Sequence, residues 1–221
     1  MQTLHETEAP TATAVDPFRP PRSDVVSRPA PSVADAAVRV RKLVTVAVAL
    51  SALSAVLCTA QLAGLRAPPP KEGMVLEDFV LLGHFAVYAM AAGAFVKWQQ
   101  LAFERVRAAV SDTLFPGRWP FGWWFIPVAN LWMPYRVVAH LWQTSHGAAN
   151  WRAVRAPRRL AVWWAFWVAM AISCQVAWFF EASVTTRVLA LATDVFEVGA
   201  GLALLPIVAG ISAAQRTSLH P

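Results

Sequence analysis

The sequence predicts an all-α polytopic membrane protein: four transmembrane helices plus one interfacial or re-entrant amphipathic segment on the cytoplasmic side. Three observations predict it. Hydrophobic residues make up 57% of the 221-residue chain and charged ones only 14%, against about 25% charged in soluble domains. Four apolar runs are long enough to cross a bilayer, and none shows the alternation of a barrel strand. Basic residues concentrate beside those runs on one side only, as the positive-inside rule requires. Lipid cannot satisfy exposed backbone groups, so helices are the expected spanning structure.

Residues 1–36 are rich in Pro, Ala, Thr and Ser, with nearly balanced charge and no apolar period. They read as a disordered cytoplasmic tail. They contain no apolar h-region, so no cleavable signal peptide is expected. The membrane domain is placed at 37–215, with a short cytoplasmic C-terminus at 216–221.

The first span is expected at about 43–65, where 23 uncharged residues follow Arg39, Arg41 and Lys42. As a helix it reaches roughly 34 Å, enough for a hydrocarbon core of about 30 Å. The second is expected at 79–96, with 18 residues including His84 and Tyr88. The third is expected at 160–180, after Arg152, Arg155, Arg158 and Arg159. The fourth is expected at 188–211 and carries Asp194, Glu197 and Pro206.

Seventeen uncharged residues from Trp119 to Tyr135 could count as a fifth crossing. Charge decides against it. Between Lys97 and Arg159 stand nine basic residues and two acids, whereas 66–77 has two of each sign and 181–187 one of each. Four crossings keep every arginine of that connection inside; five would send a group of them out. Pro120, Gly122, Pro127 and Pro134 also oppose a straight spanning helix. The segment 119–145 is therefore expected to lie on the inner leaflet or dip into it. Leu131, Tyr135, Val138, Leu141 and Trp142 would form its apolar side, with Arg136, His140 and Gln143 on another. Asn130 is expected near its start as a cap, and Pro134 in an early turn or a break.

Seven of the eleven tryptophans (98, 119, 123, 124, 132, 142 and 151) fall in this connection. Indole favours the headgroup region, so an aromatic and arginine platform is expected at the inner leaflet. It would anchor the bundle, or hold anionic lipid or a partner's juxtamembrane helix. The stretch Trp123-Trp124-Phe125-Ile126-Pro127-Val128-Ala129-Asn130-Leu131-Trp132-Met133-Pro134-Tyr135-Arg136 resembles the signature of a bacterial membrane family catalogued as domain of unknown function 4328. The likeness extends to Leu141, Trp142 and Ser145, and upstream to Trp98 with Arg105 and Arg107. It implies a small multi-span fold over roughly 43–215 and no particular activity. By this resemblance Trp124, Pro127, Asn130, Pro134, Tyr135 and Arg136 are the candidate motif and interface residues.

Ionisable groups inside a bilayer cost about 2.5–3.5 kcal/mol each on insertion scales and invite a functional reading. Counting from the span starts puts His84 level with Asp194, and Tyr88 level with Glu197, in the outer half. A cluster of His84, Tyr88, Asp194 and Glu197 is allowed if the second and fourth helices touch. It could bind a cation or relay a proton, or it could be packed and neutralised. Gly199, Gly201 and Ala203, with Ala89 and Gly93, would permit that contact. Cys58 and Cys174 read as small buried thiols, and no metal site or cofactor is expected.

A pI near 10.1 reflects basic flanks of apolar runs rather than a nucleic-acid surface. No phosphate loop, HExxH, CxxC or nucleophile elbow occurs, so no enzyme is expected. The expected protein is a non-enzymatic organiser or regulator in the cell membrane, partnered by the bilayer, anionic lipid, a membrane protein or its own copies. The alternative is a small oligomeric transporter or ion conductor using Asp194 and Glu197.

Overall fold

The computed structural model describes residues 32–65, 76–115, 122–180 and 183–218. The described residues form five α-helices, α1 (Val33–Leu62), α2 (Leu76–Ala109), α3 (Met133–His146), α4 (Arg158–Ala177) and α5 (Val184–Ser218), and no strand. Short 3-10 turns at Gly122–Phe125, Ala129–Leu131 and Trp151–Ala153 punctuate the connection from α2 to α4. All but α3 are long and apolar enough to cross a membrane, which suggests a multi-pass membrane protein.

Three of the four long helices outrun the predicted spans. α1 begins at Val33, inside the segment predicted as a tail to residue 36; residues 1–31 lie outside the described ones. The start is set by a capping box: the Ser32 hydroxyl accepts from the Asp35 N–H at 3.1 Å, and Asp35 accepts from the Ser32 N–H at 3.4 Å. Val33, Ala36, Ala37, Val40 and Val44 are buried along one face, a helical period that the neighbouring Pro-rich stretch obscured. At the other end Gly64 adopts φ +71° just past the C-cap, a left-handed conformation that glycine takes without strain.

α2 continues 13 residues beyond Val96. Phe95, Trp98, Gln99, Ala102, Phe103 and Val106 are buried there while Lys97, Glu104 and Arg105 are exposed. That is the stripe of an amphipathic helix leaning on protein. α4 starts and ends two to three residues before its predicted span, and α5 extends past 211 to Ser218 with Pro206 inside an unbroken helix.

α5 is the central element. It packs on α4, α1 and α3, whereas α2 leans mainly on α1 and meets α5 over little backbone. Accordingly α5 is the most buried of the four long helices and α2 the least. The glycines serve different neighbours from those expected. Gly201 abuts Val48 of α1 and Gly199 the Phe166 ring of α4, while Gly93 faces open space.

The predicted interfacial segment is a docked helix. Residues 119–121 lie outside the described ones; α3 begins at Met133 with Pro134 in its first turn, where a missing N–H costs nothing. Its buried face is Pro134, Val137, Val138, His140, Leu141, Thr144 and Ser145, turned from the expected one. Leu131 and Trp132 are exposed and His140 is buried. Packing against α5, α2 and α4 sets that rotation. Asn130 does not cap α3; Trp132 occupies the N-cap without a side-chain bond. Cys58 is half-buried and Cys174 exposed, because α4 turns that face away from its neighbours.

Candidate functional site

Two constellations stand out, one at the α3 end of the molecule (the platform end) and one between the long helices towards the opposite end.

The second contains the residues singled out from the sequence. His84 of α2 and Glu197 of α5 meet at 3.0 Å, Nε2 to Oε1, with both side chains about 12% exposed. The same Nε2 lies 3.1 Å from Ser51 Oγ of α1, and that hydroxyl donates to the Ala47 carbonyl at 3.0 Å. With the Ser51 hydrogen so used, Ser51 and Glu197 both accept, and the shared hydrogen sits on Nε2. Asp194 is buried one turn away, with the Ser54 side chain as its polar neighbour. Tyr88 hydrogen-bonds Trp167 of α4 and borders a cavity that Glu197 also lines.

The structure therefore joins His84 to Glu197 and leaves Asp194 beside rather than within the pair. Ser51 and Ser54 were missed by the sequence reading. Both sit on the first span, three residues apart and so on one face. Only the placement of α1 between α2 and α5 reveals their role.

Below the pair is a cavity of about 250 Å³ between α1, α2, α4 and α5. Glu197 and Tyr88 border it, and its other walls are aliphatic and aromatic, including Phe95, Trp163 and Trp167. Trp124 and Phe125 close it from the platform end. No group of three His, Cys, Asp or Glu placed to hold a metal occurs among the described residues.

The platform is an aromatic assembly. Trp124 is edge-on to Phe95 at 5.8 Å and to Trp167 at 5.5 Å, and Trp164 stacks on Trp167 at 4.8 Å. Indole N–H groups pin it: Trp124 to Gln99 Oε1 at 3.3 Å, Trp164 to the Leu131 carbonyl at 3.0 Å, Trp98 to Ser212 Oγ at 2.9 Å. Gln215 donates to the Ala102 carbonyl and to Ser145 Oγ, tying α5 to α2 and α3. Of the remaining motif residues, Pro134 is buried, Tyr135 and Asn130 are half-buried, and Pro127 and Arg136 are exposed. The Asn130 Oδ1 is buried without a partner.

His140 is 1% exposed. Its Nε2 accepts from the Leu114 N–H at 3.2 Å, so the ring hydrogen is on Nδ1, which has no hydrogen-bond partner. Trp151 stands perpendicular to it at 4.7 Å, and Phe103 and Phe115 complete the surround. Burial pushes the imidazole down to about 4, the Arg152 charge assisting, so the ring is neutral near pH 7. At the rim Arg152 meets Asp112 at 2.6 Å and lies 4.5 Å above the Trp151 ring. That guanidinium holds the Asp112 carboxyl below the usual carboxylate range.

The class of molecule that these features define is a helical protein with four helices long and apolar enough to cross a membrane, a polar pair between them and a tryptophan-rich platform at one end. More particularly, the chain belongs to the family described as Domain of unknown function (DUF4328), whose model matches residues 73–213. The match takes in the platform, His84, Asp194 and Glu197. α1, and with it Ser51 and Ser54, lies outside, so the match starts later than the 43–215 implied by resemblance. No curated protein and no solved structure matches the chain.

Proposed function

We propose that this is a non-enzymatic protein of the cell membrane, with both termini cytoplasmic, that organises or regulates another membrane component at the inner leaflet through its platform. The observation that carries this reading is a row of exposed apolar side chains on the family motif. Phe125, Ile126, Val128, Leu131 and Trp132 are 45–75% exposed, on a segment whose neighbours are tightly packed. Solvated surfaces scatter such residues singly; a contiguous set marks an interaction surface. Exposed Arg136, Arg155, Arg158 and Arg159 lie on the same connection. Two of them occupy the first turn of α4, where the helix dipole disfavours a cation by about 0.3–1 kcal/mol. Their position is therefore dictated by surroundings, and anionic headgroups supply the compensation.

The test is affinity purification from native membranes in mild detergent, comparing the natural chain with a Phe125→Ser/Leu131→Ser variant and with Asp194→Asn/Glu197→Gln. A specific membrane partner or anionic lipid retained by the first and third, and lost by the second, is the expected result. Identical recoveries from all three would sink the reading.

The second reading is a small oligomeric transporter or ion conductor, favoured by the contact between His84 and Glu197 beside a cavity. Flux through proteoliposomes of the pure protein, abolished by Glu197→Gln, would support it over the first.

A further inference from the structure

The cavity bordered by Glu197 has a composition that apolar helix packing does not require. Its lining includes six aromatics, Tyr88, Phe95, Trp124, Phe125, Trp163 and Trp167. Among the described residues Glu197 is the only formally charged one in its lining, and no described lysine or arginine borders the space. Aromatic faces carry partial negative charge and attract cations, Trp most strongly, and the attraction grows when the site is dry. A carboxylate adds a full charge in the same low-dielectric setting. Aliphatic side chains would line a pocket for a lipid chain equally well, without the indoles and without the acid.

The surrounding charge points the same way. Asp194 and Glu197 are both buried, at 8% and 9% exposure, and among the described residues His84 is the basic side chain that meets Glu197. Of the two acids only Glu197 borders the cavity, so it is the carboxylate that an occupant would meet. The room, about 250 Å³, falls just under the usual range of about 300–1,000 Å³ for drug-sized ligands, so a small organic cation fits.

We propose that this cavity binds a small lipophilic organic cation, a quaternary-ammonium type of group, held by Glu197 within the aromatic walls of Tyr88, Phe95, Trp124, Trp163 and Trp167. The site goes beyond the platform reading and stands independently of it. It also touches Trp124 and Phe125, so an occupant lies directly against the segment that carries the exposed apolar row.

The experiment uses the full chain in dodecyl maltoside micelles, free of anionic lipid and of choline headgroups. Benzyltrimethylammonium is titrated while tryptophan fluorescence is followed, with neopentylbenzene, its uncharged carbon isostere, as competitor. The expected result is saturable binding that Glu197→Gln weakens about tenfold or more, Asp194→Asn leaves unchanged, and neopentylbenzene displaces poorly. Asp194 does not border the cavity, so its variant separates a site from bulk charge. If Glu197→Gln does not fold, Trp167→Leu against Trp167→Phe reads the same site, the first weakening the cation and the second largely retaining it. Absence of saturable binding, equal loss in Asp194→Asn, or displacement by neopentylbenzene as strong as self-competition each overturns the proposal. None of these outcomes bears on partner retention at the platform.

Discussion

The two ends of the molecule are held together by different physics. At the platform end the helices bury large apolar side chains completely, among them Trp98 and Phe103 of α2, Leu141 of α3, Leu160 of α4, and Ile207 and Ile211 of α5. Towards the opposite end the large side chains of α2 and α4, and Trp178 just past α4, point away from their neighbours: Phe79, Leu81, Leu82, Phe85, Ile172 and Trp178 are all exposed. The contacts that cross helices there are small and polar, such as Ser51 with His84, His84 with Glu197, Ser173 with Thr193, and the Cys58 thiol with the Arg187 carbonyl. Such a division is what a bundle standing partly in lipid and partly in water would show. In lipid there is no gain from hiding one apolar surface against another, so hydrogen bonds and close approach hold the helices. In water the hydrophobic effect does that work.

The comparison is tested most severely at Trp98, which is 0% exposed and donates to Ser212. Trp98→Ala is expected to cost about 3–5 kcal/mol, as for other buried aromatics reduced to alanine. Thermal unfolding in detergent followed by tryptophan fluorescence measures it. A smaller loss than that of the polar variant below would reverse the ranking of the two ends.

Next in size is Gly210, where an added Cβ would meet the Trp142 ring of α3 at 2.8 Å. Gly210→Leu should push α3 off α5 at a cost of about 1–3 kcal/mol, the range for overpacking. Limited proteolysis within 147–157 should accelerate with it. Unchanged cleavage would mean that α3 is held from elsewhere.

The platform should also respond to pH, through His140. Its folded value of about 4 lies below the ordinary 6.5, so between those values the unfolded chain binds more protons than the folded one. Stability is then fully present above pH 6.5 and falls as pH drops towards 4. His140→Gln should flatten an unfolding-temperature profile in that window. A profile unaltered by the substitution would show that some other group governs the acid response.

At the opposite end His84→Leu removes the contacts to Ser51 and Glu197. Hydrogen bonds between membrane helices average about 0.6 kcal/mol and reach about 1.7, so a loss near 1 kcal/mol is expected, well short of the Trp98 variant. The double cycle with Ser51→Ala isolates the hydroxyl's share.

Much of this division was legible in the sequence, but unevenly. Four long apolar runs and the arginine distribution were enough for the number of long helices, because hydrophobic length is a one-dimensional property. Counting residues from the starts of the second and fourth spans, which run in the same direction, brought His84 and Glu197 into one cluster, but it set His84 level with Asp194, whereas the structure joins it to Glu197, about one turn further along α5. The helical extensions were not legible from hydropathy: Val33–Val40 and Trp98–Val106 interleave buried residues with charged ones, and a hydropathy average sees only their mean. The face that α3 buries was misread because His140 was sorted by residue type, whereas its neighbours Phe103, Phe115 and Trp151 come from sequence-distant elements. Ser51 is invisible for a similar reason, since hydroxyls in spans usually bond their own helix, as Ser51 also does with Ala47.

The smallest effect is expected where the charges look most conspicuous. Arg152 and Asp112 form the shortest ion pair described, and Arg152 also covers the Trp151 ring. Yet both side chains are more than 60% exposed, so water and salt screen the attraction, and ordering two flexible chains offsets much of what is left. Trp151 is fixed independently, by its N–H to the Asp112 carbonyl at 2.9 Å, which a side-chain substitution leaves in place. Arg152→Gln should therefore leave the unfolding temperature within experimental error at 0.15 M salt. A drop comparable to that of Gly210→Leu, lessened by added salt, would mean that charge rather than burial holds the platform, and the contrast between the two ends would no longer stand.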